Sequence, residues 1–205
     1  MFLKICGITR GEDADHAVAH GATALGFVFW PASPRYIAPE DAAAIVARMP
    51  SAVSTVGVFV NEPVAGIRQA VERSGVSTVQ LHGDEPVSYA SQLTQPLLRA
   101  LSLDAATTSQ WPLDTTILLD AADAERRGGT GRQVDWTKAQ AIARTRRVVL
   151  AGGLTPENVQ VAVAQVEPWG VDVSSGVESA PGVKDAARVT AFLQRARLAF
   201  DGLGR

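Results

Sequence analysis

Eight short runs of β-branched and apolar residues alternate with Ala-rich helical segments, roughly 20 to 30 residues apart. That alternation predicts an α/β protein, a single-domain (β/α)8 or TIM barrel spanning 1–205. Two further observations support it. The chain has 205 residues, enough for eight compact βα units with little left for insertions. The turn after the first run, Cys6-Gly7-Ile8-Thr9-Arg10, also lacks the G-x-G-x-x-G fingerprint that usually marks a doubly wound open sheet, the alternative use of the same elements.

Taken in order, the first run is 2–6 and leads through Gly7 into an amphipathic helix at 11–20. The second, 24–29, is followed by a loop stiffened by Pro31 and Pro34 and a helix at 39–48. Runs 53–60 and 78–81 precede helices at 63–74 and 86–92, each entered through an acidic residue and a proline, Asn61-Glu62-Pro63 and Asp84-Glu85-Pro86. After the fifth run, 97–101, the segment 102–113 carries Thr107, Thr108 and Pro112, so the fifth helix is expected to be a single turn or missing. The sixth run, 116–119, is followed by glycine-rich residues and a helix at 135–144. The seventh, 147–150, leads to a helix at 156–165, for which Thr155-Pro156-Glu157 offers an N-cap, a proline at the first position and an acid in the first turn. The eighth, 170–173, precedes a long helix at 184–200.

Composition narrows the function. Apolar residues make up 46% and charged residues 20%, the balance of an ordinary folded protein. Net charge is -2 with no basic block, which leaves no nucleic-acid footprint and favours a small uncharged or anionic metabolite as partner. The apolar runs are broken well short of the ~20 residues of a membrane span, and Met1-Phe2-Leu3-Lys4 does not open like a signal peptide. A cytoplasmic location with no membrane partner is therefore expected. One cysteine forms no internal disulfide, and three histidines are too dispersed for an evident metal cage. His16 and His20 are four apart, but Ala17 stands where a zinc-protease motif has its glutamate, so both read as helix-surface residues.

A barrel of this kind gathers its site at the C-terminal strand ends. Lys4 and Cys6 share a face of the first strand, Gln80 and His82 share one on the fourth, Asp120 closes the sixth, and Asp172 and Ser174 close the eighth. Each alone has an ordinary structural explanation, the cysteine as a small hydrophobe and the aspartates as turn caps. Polar groups at four strand ends exceed what turns require. Glycine-bearing loops follow the last three strands: Gly128-Gly129-Thr130-Gly131, Gly152-Gly153 and Ser174-Ser175-Gly176. Loops seven and eight are the usual phosphate site of such barrels, so a phosphorylated substrate is expected, held by backbone N–H groups rather than by the three lysines. Arg35, on the proline-stiffened loop after strand two, is either a carboxylate partner or a solvated loop residue.

These residues fall in motifs that resemble the phosphoribosylanthranilate isomerase family of tryptophan biosynthesis. The likeness runs through Lys4-Ile5-Cys6-Gly7-Ile8-Thr9, Ser33-Pro34-Arg35-Tyr36-Ile37, Gly57-Val58-Phe59-Val60-Asn61 and Val79-Gln80-Leu81-His82-Gly83-Asp84-Glu85. It continues through Leu119-Asp120, Gly128-Gly129-Thr130-Gly131, Leu150-Ala151-Gly152-Gly153-Leu154-Thr155-Pro156-Glu157-Asn158 and Val171-Asp172-Val173-Ser174-Ser175-Gly176-Val177-Glu178, in family order. The resemblance implies an Amadori rearrangement of N-(5-phosphoribosyl)anthranilate to 1-(2-carboxyphenylamino)-1-deoxyribulose 5-phosphate, without metal or organic cofactor. It implies Cys6 as general base, Asp120 as general acid and Arg35 at the anthranilate carboxylate. Asp172 and His82 would face substrate, and Gly129, Gly131, Gly152, Gly153, Ser175 and Gly176 the phosphate. An aspartate kept protonated by partial desolvation and a thiolate favoured by Lys4 would suit the two proton transfers. A Schiff-base aldolase using Lys4, and an idle phosphosugar-binding relative, are the competing readings; a monomer or homodimer is expected.

Overall fold

The computed structural model describes residues 1–107, 109–120 and 136–204. Strands β1 (Phe2–Cys6), β2 (Ala24–Val28), β3 (Ser54–Phe59), β4 (Thr78–Leu81), β5 (Leu97–Leu101), β6 (Thr116–Leu119), β7 (Val148–Leu150) and β8 (Gly170–Val173) close into a parallel barrel in chain order. Closure is made by β8 pairing with β1, in the register Phe2 to Gly170 and Lys4 to Asp172. Around it lie α1 (Gly11–Ala19), α2 (Pro39–Val46), α3 (Val64–Ser74), α4 (Leu103–Thr107), α5 (Trp136–Ala143), α6 (Val159–Val166) and α7 (Ala186–Gly202). A small antiparallel hairpin, β9 (Glu178–Ala180) and β10 (Val183–Lys184), stands between β8 and α7.

Strand alternation sorts the side chains into two populations. Leu3, Ile5, Leu25, Phe27, Leu81, Ile117 and Val171 pack outward with Ile45, Ile67, Val163, Phe192 and Phe200 of the helices, forming the main core. Phe2, Ala24, Val56, Leu98, Leu118 and Val149 form a second cluster inside the barrel, a plug below the site. Burying one side chain such as Phe192 contributes about 1.5–3 kcal/mol, so this shell carries the fold.

Three helical expectations are corrected, and one, the short fifth helix, is met. Residues 86–92 form only a short 3₁₀ segment, Val87–Ser91, because Ser91 Oγ and Gln92 Nε2 both turn back to the carbonyl of Ser88 and compete with helix growth. The fifth helix is the single short piece α4. Thr155 does not cap α6: its Oγ1 accepts from the N–H of Glu157, and Asn158 Oδ1 accepts from the N–H of Thr155, which closes a turn and delays the helix to Val159. The last helix starts at Ala186 rather than 184, with Asp185 accepting from the N–H of Arg188 at 2.9 Å, and Lys184 belongs to the hairpin instead.

Candidate active site

Above the apolar plug, polar and apolar residues together surround a cavity of about 460 Å³. Its lining includes Cys6, Arg35, His82, Asp120, Gly152, Gly153, Asp172, Ser175 and Gly176. Every proposed site residue among the described ones is thus in one place; Gly129 and Gly131 lie outside the described residues.

The floor is an ion pair. Lys4 is fully buried and its Nζ donates to Asp172 Oδ1 at 2.9 Å across the β1–β8 seam. Burial works against its charge, but Asp172 and Cys6 beside it prevail and the amine is pushed up to about 12. Such an ammonium has no lone pair to offer a carbonyl, which argues against the covalent aldolase role.

Cys6 ends β1, opposite Gly26 of β2, where a Cβ would stand 2.8 Å from the Sγ. The glycine makes room for the thiol. The expectation of a favoured thiolate is corrected: burial raises the thiol, Asp172 adds to that, and the lowering by Lys4 and Lys184 does not overcome them. Depth decides the sign: the sequence shows a neighbouring cation but not that both groups are out of water.

Across the mouth, Gln80 Nε2 lies 2.9 Å from His82 Nδ1, and His82 Nε2 lies 3.4 Å from Asp120 Oδ2. With the amide donating, Nδ1 accepts and the imidazole proton sits on Nε2, toward the carboxyl of Asp120. The loop holding His82 is pinned from behind by Glu85, whose carboxylate accepts from the N–H groups of Asn61 and Gly83 at 2.7 and 2.9 Å and pairs with buried Arg99. Among the described residues, no three His, Cys, Asp or Glu side chains converge as metal ligands.

The loops after β7 and β8 form the remaining wall. Gly152 and Gly153 adopt φ of 80° and 70°, a left-handed backbone that glycine alone takes without strain. Asn158 Nδ2 holds the carbonyl of Gly153 at 2.9 Å. A Cβ on Gly176 would run into the carbonyl oxygen of Leu154, so the two loops touch there.

Two buried residues were not anticipated. Arg35 forms a fork with Glu178, Nε to Oε1 at 2.8 Å and Nη2 to Oε2 at 2.7 Å. Lys184 Nζ donates to the same Oε1 at 2.8 Å and to the carbonyl of Cys6 at 2.6 Å. Burial lowers Lys184 despite Glu178; for Glu178 burial is outweighed by Arg35 and Lys184, and its carboxyl lies below the usual range. Sequence carried a weak signal for them, a lone lysine between an apolar residue and the N-cap of α7.

Comparison with known proteins agrees with this geometry. A family model described as N-(5'phosphoribosyl)anthranilate (PRA) isomerase matches residues 3–195. The N-(5'-phosphoribosyl)anthranilate isomerase of Pelobacter propionicus is 46% identical over 201 residues, covering 95% of each chain. The crystal structure of phosphoribosyl anthranilate isomerase from Thermotoga maritima, a protein also described as dimeric, has 40% identity and a TM-score of 0.87 over 96% of this chain and 98% of its own. Another neighbour, a phosphoribosyl anthranilate isomerase in complex with reduced 1-(o-carboxyphenylamino)-1-deoxyribulose 5-phosphate, has 39% identity and a TM-score of 0.83 over the same shares. A closed eight-stranded barrel, a polar mouth above an apolar plug and likeness along nearly the whole length lead to one conclusion: the chain belongs to the N-(5'-phosphoribosyl)anthranilate isomerase family.

Proposed function

We propose that Cys6 and Asp120 carry the proton transfers of the isomerisation that this chain performs in tryptophan biosynthesis as a member of its family. The observation that carries the assignment is their shared cavity, in which one acidic side chain and one thiol stand at the ends of β6 and β1. Asp120 gives its proton to the furanose ring oxygen of N-(5-phosphoribosyl)anthranilate as the bond from that oxygen to C1 breaks. The nitrogen lone pair completes a cationic Schiff base. Cys6 then removes the C2 proton, the electron pair forms the C1–C2 double bond, and the enolamine tautomerises to the ketone. The cation arises beside a thiol whose burial resists ionisation, so the thiolate is favoured at the step that needs it.

Arg35 pairs with the anthranilate carboxylate, His82 and Asp172 face the sugar, and the phosphate lies on the wall built by Gly152, Gly153, Ser175 and Gly176. The buried apolar residues Val28 and Val58 beside Cys6 offer a surface for the aromatic ring. The substrate is a phosphorylated small molecule; the chain acts as a monomer or homodimer, and its biosynthetic role supports a cytoplasmic location.

Asp120→Asn is the test. An amide keeps the shape and hydrogen-bonding capacity of the acid but delivers no proton to a ring oxygen. Turnover should fall by about 10²- to 10⁴-fold or more while affinity for the reduced product analogue is retained. A variant with lowered melting temperature and near-normal turnover would leave Asp120 as a turn residue and remove the acid.

A further inference from the structure

A guanidinium has two edges that can grip a carboxylate, one formed by Nε with a terminal nitrogen and one by the two terminal nitrogens. In Arg35 the first edge is already taken. Glu178 fills it with a parallel two-point contact, 2.8 Å from Nε and 2.7 Å from Nη2, and both side chains are largely withdrawn from solvent, 19% and 5% exposed. Glu178 is not a cavity-lining residue, whereas Arg35 is. The carboxylate is itself anchored from behind by Lys184, which is 1% exposed and also holds the carbonyls of Cys6 and Ser174 at 2.6 and 3.4 Å. These contacts tie the loop after β2 to the end of β1 and to the loop after β8.

We propose that Glu178 is a positioning residue for substrate recognition: by occupying the Nε edge of Arg35 it presents the remaining edge, formed by the two terminal nitrogens, to the substrate carboxylate, with Lys184 as its buried counter-ion. This rests on the assignment of Arg35 to the anthranilate carboxylate. A free arginine on a loop samples many rotamers, and fixing it before substrate arrives removes that entropic cost from binding. The fork also explains why a lysine would not serve at position 35, since a single ammonium cannot hold Glu178 in two-point contact and offer a second two-point edge to a ligand carboxylate. Lys184 offsets the negative charge of Glu178, so the guanidinium remains attractive to an anion.

The experiment compares two probes, reduced 1-(o-carboxyphenylamino)-1-deoxyribulose 5-phosphate and the same molecule without the ring carboxylate. Arg35→Met should weaken the first probe by about tenfold to a hundredfold and the second little, the usual worth of a charge-assisted pair. Glu178→Gln should also weaken the first selectively, by at least about fivefold, and raise KM more than it lowers kcat. The double variant should lose no more than Arg35→Met alone, because Glu178 acts only through the arginine. Should Glu178→Gln strand Lys184 and fail to fold, Glu178→Gln with Lys184→Met removes both buried charges together and carries the same comparison. A selective loss in Arg35→Met with none in either Glu178 background overturns the positioning role. An Arg35→Met variant that treats both probes alike overturns the carboxylate assignment instead.

Discussion

At the scale of single residues, chemistry depends on which groups the barrel takes out of water. Cys6→Ser should fold normally and lose most activity, because a serine hydroxyl ionises far less readily than a thiol and so supplies no anion to take the proton. Alkylation of the wild-type thiol should be slow at neutral pH and quicken as pH rises past the ordinary thiol range near ~8.5, since burial raises Cys6, and the bound product analogue should protect it. Rapid alkylation at pH 7 would contradict the raised thiol; full turnover in folded Cys6→Ser would remove it from the mechanism. Glu178 gives a second pH signature. Its folded carboxyl lies below the ordinary glutamate range of about 4.3, so it contributes stability that is present above that range and declines as pH falls through the lower folded value. Denaturation followed from pH 6 downward should therefore show a wild-type loss that is reduced in Glu178→Gln.

The mouth residues were legible because strand ends expose them by period and position. Lys4, Cys6, His82 and Asp172 needed only the rule that side chains two apart share a face, and Asp120 only its place at the end of a strand. Glu178 and Lys184 were not legible: their partners are Arg35, Cys6 and Ser174, and for Lys184 to Cys6 the separation along the chain is 178 residues. No periodic pattern encodes such a contact.

At the scale of elements, the strands followed from β-branched runs, and β1, β4, β5, β6 and β8 have the bounds their residues suggest. The starts of α1 and α2 followed as well, at Gly11 and Pro39, but later ones did not, because side chains such as Ser91 and Asn158 bond to nearby backbone and shift the first turn. The loops after β7 and β8 are held together where Gly176 meets the carbonyl of Leu154. Gly176→Ala must push these loops apart. It should raise KM for substrate well above any fall in kcat, and lower the melting temperature by the several degrees that about 1–3 kcal/mol of overpacking implies. Unchanged KM and melting temperature would show that the wall tolerates a methyl group, and would take the close approach out of the phosphate site.

At the scale of the whole molecule, a preformed cavity means that an anion binds the folded barrel and not the unfolded chain. Inorganic phosphate should therefore inhibit competitively and stabilise the protein by mass action, about 2.7 kcal/mol at a concentration one hundred times its dissociation constant. A melting temperature indifferent to phosphate, with no competition, would sink the phosphate wall.

Closure of the barrel has a consequence in time. The proposed base stands on β1, its ion-paired neighbours Lys4 and Asp172 span the seam to β8, and Lys184 reaches the carbonyl of Cys6 from β10. These contacts join the two extremes of the fold, and loop closure over such spans comes late and slowly. Helical signal can return while β8 is still undocked, but a cavity with its floor, its thiol and its anchored arginine cannot. During refolding, recovery of catalysis should therefore trail recovery of secondary structure, and the interval between them measures how long the ring takes to shut.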